Sequence, residues 1–347
     1  MNINNKAGDM PKIWIVLVNW NGWRDTVECL ESVLRLDYPH FRVVVCDNDS
    51  SDGSVASLQA WASGAEPGPE RVGPLAYLSS PALPKPVTCA VVDTPAHYRA
   101  DADVDGPLLI ARTGGNLGFA GGNNVGIRMA LSDPACQFVW LLNNDTVVDP
   151  ACLARMVETA KADVGIGITG SVNCFYAEPD VVQALGGGLF SRGRAFADLH
   201  GHCLRRGDIT AAVRQRTEAR LDWISGASML VSRDFLNRVG EMEERYFLYY
   251  EEIDWALRSE KLFRNAVAYS ALVYHKSGSS TGAQVDSGFS IYTQFRSRFK
   301  LYRKLLPVLL PLCYLKTVKD WLFATFRGQR VRANAILRAS RDELFSS

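Results

Sequence analysis

The chain has no apolar run long enough to cross a bilayer. The longest one near its end, Leu305 to Leu315, is broken by Pro307 and Pro311 and falls short of the roughly 20 residues that a span requires. It also has no excess of either charge: 38 Lys and Arg stand against 37 Asp and Glu. No global field therefore points toward nucleic acid or a strongly acidic substrate. Paired cysteines are missing too. Cys29, Cys46, Cys89, Cys136, Cys152, Cys174, Cys203 and Cys313 show none of the close spacings of a zinc knuckle or redox motif. Scattered thiols of this kind suit a reducing cytoplasm. Met1 to Met10 is polar, so no secretory signal is expected.

What is present is ample material for a large core, with 47% hydrophobic residues in 347. Ile13 to Val18 and Phe41 to Cys46 are continuous apolar runs, and between them Arg24 to Leu36 puts Val27, Leu30, Val33 and Leu34 on one helical face. The alternation continues with Leu108 to Ile110, a helix from about Phe119 to Leu131 and a strand from Phe138 to Leu142. This predicts an α/β fold: a mostly parallel central sheet flanked by helices. From 64 to 106 the pattern gives way to a stretch rich in Pro, Ala and Gly, read as an insertion in a loop. Strands at Ala227 to Val231 and Ala266 to Val273, a helix after Glu252 and a helical tail from Ile291 to Leu344 follow.

The polar clusters fall at strand ends, where open parallel sheets meet their ligands. The first strand runs into Asn19-Trp20-Asn21-Gly22 and the second into Asp47-Asn48-Asp49-Ser50-Ser51-Asp52. Asp47 could accept hydrogen bonds from a base or ribose, although such residues also serve as turns and caps. Gly114 to Asn124 is glycine-rich and opens a helix, which suits close approach of a phosphate. It lacks the placement of a dinucleotide fingerprint. The strand ending in Asn143-Asn144-Asp145 delivers a carboxylate suited to Mg²⁺ or Mn²⁺, hard cations that share their oxygen ligands with substrate phosphates. His275, at the end of another apolar strand, could complete such a site. Acids among aromatics, as in Tyr249-Tyr250-Glu251-Glu252-Ile253-Asp254-Trp255, can act as a general base with a raised pKa. The same acids would also favour a helix N-terminus.

In this order, the clusters resemble the family 2 glycosyltransferases of the GT-A fold, and among these a bacterial rhamnosyltransferase-like branch, over roughly Ile13 to Gly282. The resemblance implies a catalytic domain over 11–282, interrupted by the 64–106 insertion, and a basic, aromatic helical extension over 283–347. It implies that Asn19 and Asn21 line a nucleotide pocket, that Asp47 contacts the base and that Asn48 and Asp52 support the loop. Gly115, Asn116, Gly118 and Asn123 would lie near ribose and diphosphate. Asn143-Asn144-Asp145 matches the family's metal motif with Asn143 in place of its usual first aspartate, so a Mg²⁺ or Mn²⁺ ion would rest on Asp145, His275 and the donor phosphates. Glu252 takes the place of the base, where aspartate is more usual, with Glu251 and Asp254 as competitors. Trp223, Gly226 and Arg258 would shape the donor and acceptor cleft.

The implied reaction is inverting transfer of a sugar from a dTDP- or UDP-activated donor, dTDP-L-rhamnose first among them, to a glycan or lipid-linked acceptor in cell-surface polysaccharide synthesis. The basic tail, with Arg296, Arg298, Lys300, Arg303, Lys304, Lys316 and Lys319 among apolar residues, could lie on the inner face of the membrane, pack on the catalytic domain or form a homodimer contact. Rivals are a nucleotide-sugar or glycan-binding module without catalysis and a sugar-nucleotide nucleotidyltransferase. The latter would want its glycine loop directly after the first strand.

Overall fold

The computed structural model describes residues 10–93, 95–99, 106–276 and 287–344. The first half is β1 (Lys12–Asn19), α1 (Trp23–Val33), β2 (Phe41–Asp47), α2 (Ser54–Ser63), β3 (Cys89–Val92), β4 (Leu108–Arg112), α3 (Gly118–Leu131), β5 (Cys136–Asn143), β6 (Thr146–Val148) and α4 (Cys152–Lys161). Then come β7 (Ile166–Phe175), β8 (Val182–Leu185), β9 (Gly187–Ser191), β10 (Phe196–Leu199), α5 (Ala211–Glu218), β11 (Trp223–Ile224), β12 (Ser228–Ser232), α6 (Arg233–Val239), α7 (Glu251–Ser259) and β13 (Arg264–His275). Three helices close the chain: α8 (Gly288–Leu305), α9 (Leu310–Phe326) and α10 (Arg330–Leu344).

Nine strands run β3-β4-β2-β1-β5-β12-β7-β13-β6, with β8 added to β7, and a small second sheet is ordered β10-β9-β11. The expected α/β fold is present. The large sheet is parallel from β3 to β5 and between β7 and β13, but β12 enters antiparallel between β5 and β7. β1 and β2 read as unbroken apolar runs because both faces are covered; Ile13 to Leu17 and Val43 to Cys46 are fully buried. Helix α3 lies close on this sheet because it carries glycines: a Cβ at Gly126 would stand 2.4 Å from a Val16 methyl.

The proline-rich stretch is more than a loop, since it supplies β3 as an edge strand parallel to β4. It is anchored on α1 by Glu31, which accepts from Leu83 N at 2.8 Å and Trp61 Nε1 at 3.1 Å and pairs with Arg71 at 3.1 Å. Residues 94 and 100–105 of the insertion lie outside the described residues, as does the expected domain boundary at 282/283. The tail is helical as expected. It packs on the rest of the chain through Phe299, Leu301, Tyr302 and Cys313, which share a core with Phe190, Tyr246, Tyr250 and Ile253.

Candidate active site

The carboxyl ends of β1, β2 and β5 meet in a hydrogen-bonded network. Asn19, fully buried, donates from Nδ2 to Asp47 Oδ2 at 2.8 Å and to Ser50 Oγ at 3.1 Å. Its Oδ1 accepts from Thr26 Oγ1 at 2.9 Å, and Asn144 Nδ2 reaches Thr26 Oγ1 at 2.9 Å. Asp47 accepts from Ser50 N at 3.1 Å through its other oxygen. Asn48 donates to the Gly118 carbonyl at 3.0 Å and accepts from Leu117 N at 3.2 Å, tying the β2 loop to the start of α3. Gly118 has φ +70, and a Cβ there would lie 2.3 Å from the Phe247 carbonyl, so only glycine fits.

A cleft of about 830 Å³ opens beyond these strand ends. It brings together Asn48, Asn116, Gly118, Asn123, Asn144, Asp145, Gly226, Glu251, Glu252 and His275, drawn from the β2, α3, β5, β12, α7 and β13 ends. Asp145 is fully buried and its Oδ1 stands 3.1 Å from His275 Nε2. His275 Nδ1 lies 2.8 Å from Gln183 Oε1, which can only accept, so Nδ1 carries the hydrogen. Nε2 then accepts from Asn143 Nδ2 at 3.2 Å and faces Asp145 Oδ1 on its other side. An imidazole oriented in this way beside a carboxylate is a fitting donor pair for a divalent ion. Asp145 and His275 thus fit the metal expected of them, with remaining ligands left to phosphate oxygens and water. Among the described residues no third His, Cys, Asp or Glu joins them.

On the opposite wall, α7 starts after two consecutive residues with positive φ, Tyr249 (φ 68) and Tyr250 (φ 73). Neither is glycine, and each such residue costs on the order of 1–3 kcal/mol. The turn points the first two side chains of α7 into the cleft. Burial and then the neighbouring Glu252 charge push the Glu251 carboxyl well above the usual carboxylate range; burial raises Glu252 as well. A Cβ at Gly226 would sit 2.5 Å from Glu252 Oε1, so this glycine leaves room for the carboxyl.

Other expected positions fall elsewhere. Asp254 is fully buried away from the cleft and accepts from Tyr246 Oη at 3.0 Å, Arg258 Nε at 2.5 Å and Lys304 Nζ at 2.8 Å, so it braces α7 against α8 and has no reach to a substrate proton. Arg258 spends its other donors on the Val239 and Glu241 carbonyls, each at 2.8 Å. Asp47 and Asn19 belong to the supporting network behind the cleft wall. Asn21 Oδ1 accepts from Ser51 N at 2.8 Å and Asp52 N at 3.2 Å, and the exposed Asp52 caps the Ser54 amide at 3.0 Å; both hold the turn. Gly115 lies off the cleft, its carbonyl accepting from Thr113. Trp223 lines a second cleft of about 630 Å³ that Glu252 and Tyr249 also border. Gln183, Phe119 and Phe247 line the main cleft without any motif that marks them. Gln183 is brought there only by β8 pairing with β7, which lies beside β13.

The family model for glycosyl transferase family 2 matches residues 14–72 and 93–202. The chain belongs to the family 2 glycosyltransferases. Curated relatives include the low-salt glycan biosynthesis hexosyltransferase of Haloferax volcanii, 23% identical over 197 residues that make up 54% of this chain and 57% of that protein. The N-acetylglucosaminyl-diphospho-decaprenol L-rhamnosyltransferase of Mycobacterium tuberculosis is 37% identical over 78 residues, 21% of this chain and 25% of that one. The matches thus span little more than half of the first relative and a quarter of the second. Among solved structures, the mannosyltransferase of Pyrobaculum calidifontis in complex with GDP-Man and Mn²⁺ superposes with a TM-score of 0.52 at 14% identity, covering 97% of this chain and 88% of that one. The S. aureus TarS fragment 1–349 with UDP-GlcNAc gives 0.51 at 13% identity, covering 94% and 81%. At such identities the likeness concerns the fold alone. This glycosyltransferase shares it from β1 through its C-terminal helices.

Proposed function

We propose that this family 2 glycosyltransferase moves a hexosyl unit, with inversion, from a nucleoside-diphosphate sugar to a hydroxyl of a glycan or lipid-linked acceptor. The observation that carries the reading is the composition of one cleft: Asp145 with His275 on one wall and Glu252, its pKa raised by burial, on the other. Asn48, Asn116, Asn123 and Asn144 would hold the nucleotide and diphosphate, with Asn19 and Asp47 fixing the loops that carry them. A Mg²⁺ or Mn²⁺ ion held by Asp145 and His275 would supply positive charge against the diphosphate. Glu252 takes the proton of the acceptor hydroxyl as its oxygen bonds to the anomeric carbon, and the bond from that carbon to the β-phosphate oxygen breaks in the same step. The nucleoside diphosphate leaves, and no covalent enzyme intermediate forms.

The rhamnosyltransferase relative favours dTDP-L-rhamnose as donor, while the hexosyltransferase relative also suits a UDP-hexose. A thermal-shift panel of dTDP-rhamnose, UDP-glucose, UDP-GlcNAc and GDP-mannose, each with and without Mn²⁺, tests both points. A ligand at 100 times its Kd adds about 2.7 kcal/mol to native stability. A cation-dependent rise with one donor, lost in Asp145→Ala, is expected; no rise with any donor would overturn the reading.

A further inference from the structure

Exposed large apolar side chains are unevenly spread over this molecule. Of nineteen among the described residues, eleven lie between Phe289 and Leu344. On α9 they form a face: Leu312, Leu315, Val318, Leu322 and Phe326 succeed one another at steps of three or four residues. Leu315 is 67% and Phe326 87% exposed. The opposite side of the same helix, with Cys313, Thr317 and Ala324, is the one buried against the body. With one side of α9 buried, the apolar stripe on its other side is left in the open. Patches of this extent mark an interaction surface.

Charge says what covers it. Residues 287–347 hold twelve Lys and Arg against three Asp and Glu, a net of +9 in a chain whose total is +1. Lys319 lies on the apolar face itself, and Arg327, Arg330 and Arg332 follow its end. Apolar residues flanked by Lys and Arg are the composition of helices that lie in an anionic bilayer interface. No described helix is long and apolar enough to cross a membrane, so the segment would lie on the surface. A dimer contact would place two copies of this positive segment against each other, which works against it.

The second cleft reaches the same helices. Phe323 of α9 and Arg332 of α10 line it together with Trp223, Tyr249 and Glu252, so it runs from the candidate base to the helices that bear the exposed face. We propose that the exposed face of α9 and its basic flanks dock the protein on an anionic lipid bilayer, and that an acceptor anchored in that bilayer reaches Glu252 through this smaller cleft. The second half of the statement rests on the transferase reading; the docking does not.

The full chain is tested by co-sedimentation with vesicles of equal parts phosphatidylglycerol and phosphatidylcholine, and with vesicles of phosphatidylcholine alone. Binding to the anionic vesicles is expected, weaker by about tenfold or more on the neutral ones and in high salt. The double variant Leu315→Glu, Phe326→Glu should lose about tenfold or more in vesicle binding while its melting temperature and donor-induced thermal shift stay as in the wild type. Absence of vesicle binding by the wild type, or equal binding by the folded variant, overturns the proposal. So does a wild-type dimer that the double variant dissolves without any vesicle binding, because the face would then join copies of this chain. The donor shift is read separately, so a missing shift counts against the transferase reading and leaves the docking result standing.

Discussion

Glu31 and Glu251 are sealed from solvent to the same degree, at 0% and 1% exposure, and have opposite surroundings. Glu31 is met on both oxygens by an indole, a backbone amide, Arg35 and Arg71, with Lys85 close by. Glu251 has a buried oxygen with no partner and another carboxyl as its neighbour. A buried carboxylate surrounded by donors holds structure together, whereas a buried pair of acids without a cation is held ready for proton chemistry. The same contrast recurs within α7. Glu252 faces a cleft with its pKa raised, and Asp254, two residues on, is locked by Tyr246, Arg258 and Lys304.

The largest effect that would break this comparison is chemical. Glu252→Gln keeps the shape but removes the base, and general-base catalysis is typically worth 10² to 10⁴ in rate. Transfer should fall by roughly that factor while the donor-induced thermal shift remains. In the wild type the base must be ionised, and burial raises its pKa, so the transfer rate should rise with pH above the usual carboxylate range. A pH–rate profile that is flat there, or a Gln variant with ordinary turnover, would move the base elsewhere.

Next in size is the insertion anchor. Removing one partner of a buried ion pair costs about 3–5 kcal/mol, because the remaining charges stay buried and unpaired. Glu31→Ala should therefore be destabilised by about that amount in urea unfolding, with Arg71 and Lys85 left without their counterion. A loss below about 1 kcal/mol would mean that the edge strand β3 and its loop hold without it.

Much of the fold was legible in the chain itself. β1, α1, β2, β4, α3 and β5 could be read because unbroken apolar runs alternate with helical periodicity. Asn144, Asp145 and His275 stood out as polar residues that close apolar runs and Glu252 as an acid among aromatics, and all four line one cleft. Other features depend on partners distant in sequence. Asp254 resembles a competitor for the base until Lys304, 50 residues on, is seen to occupy it. Arg71, Leu83 and Lys85 look like loop residues until they converge on Glu31. Asp47 and Asn19, which sit where a ligand was expected, turn out to satisfy each other. The strained turn at Tyr249 and Tyr250 has no glycine to announce it, and the glycines of α3 serve the helix's contact with Val16 and Val18 as much as any phosphate.

The smallest effect sharpens the comparison most. Glu251 is held above its ordinary pKa of 4.5, first by burial and then by Glu252. The native state therefore keeps a proton that the unfolded chain gives up, and stability that is complete below pH 4.5 is lost as pH rises through the raised value. Glu251→Gln replaces a neutral acid by a neutral amide of the same size, so its stability at pH 5 should lie within about 1 kcal/mol of the wild type. As the pH is raised to 8 the wild type should lose stability relative to the variant, a divergence that urea unfolding at the two values would register. If the two curves stay parallel, the Glu251 carboxyl has the same proton affinity folded and unfolded, and its burial beside Glu252 does not hold a proton.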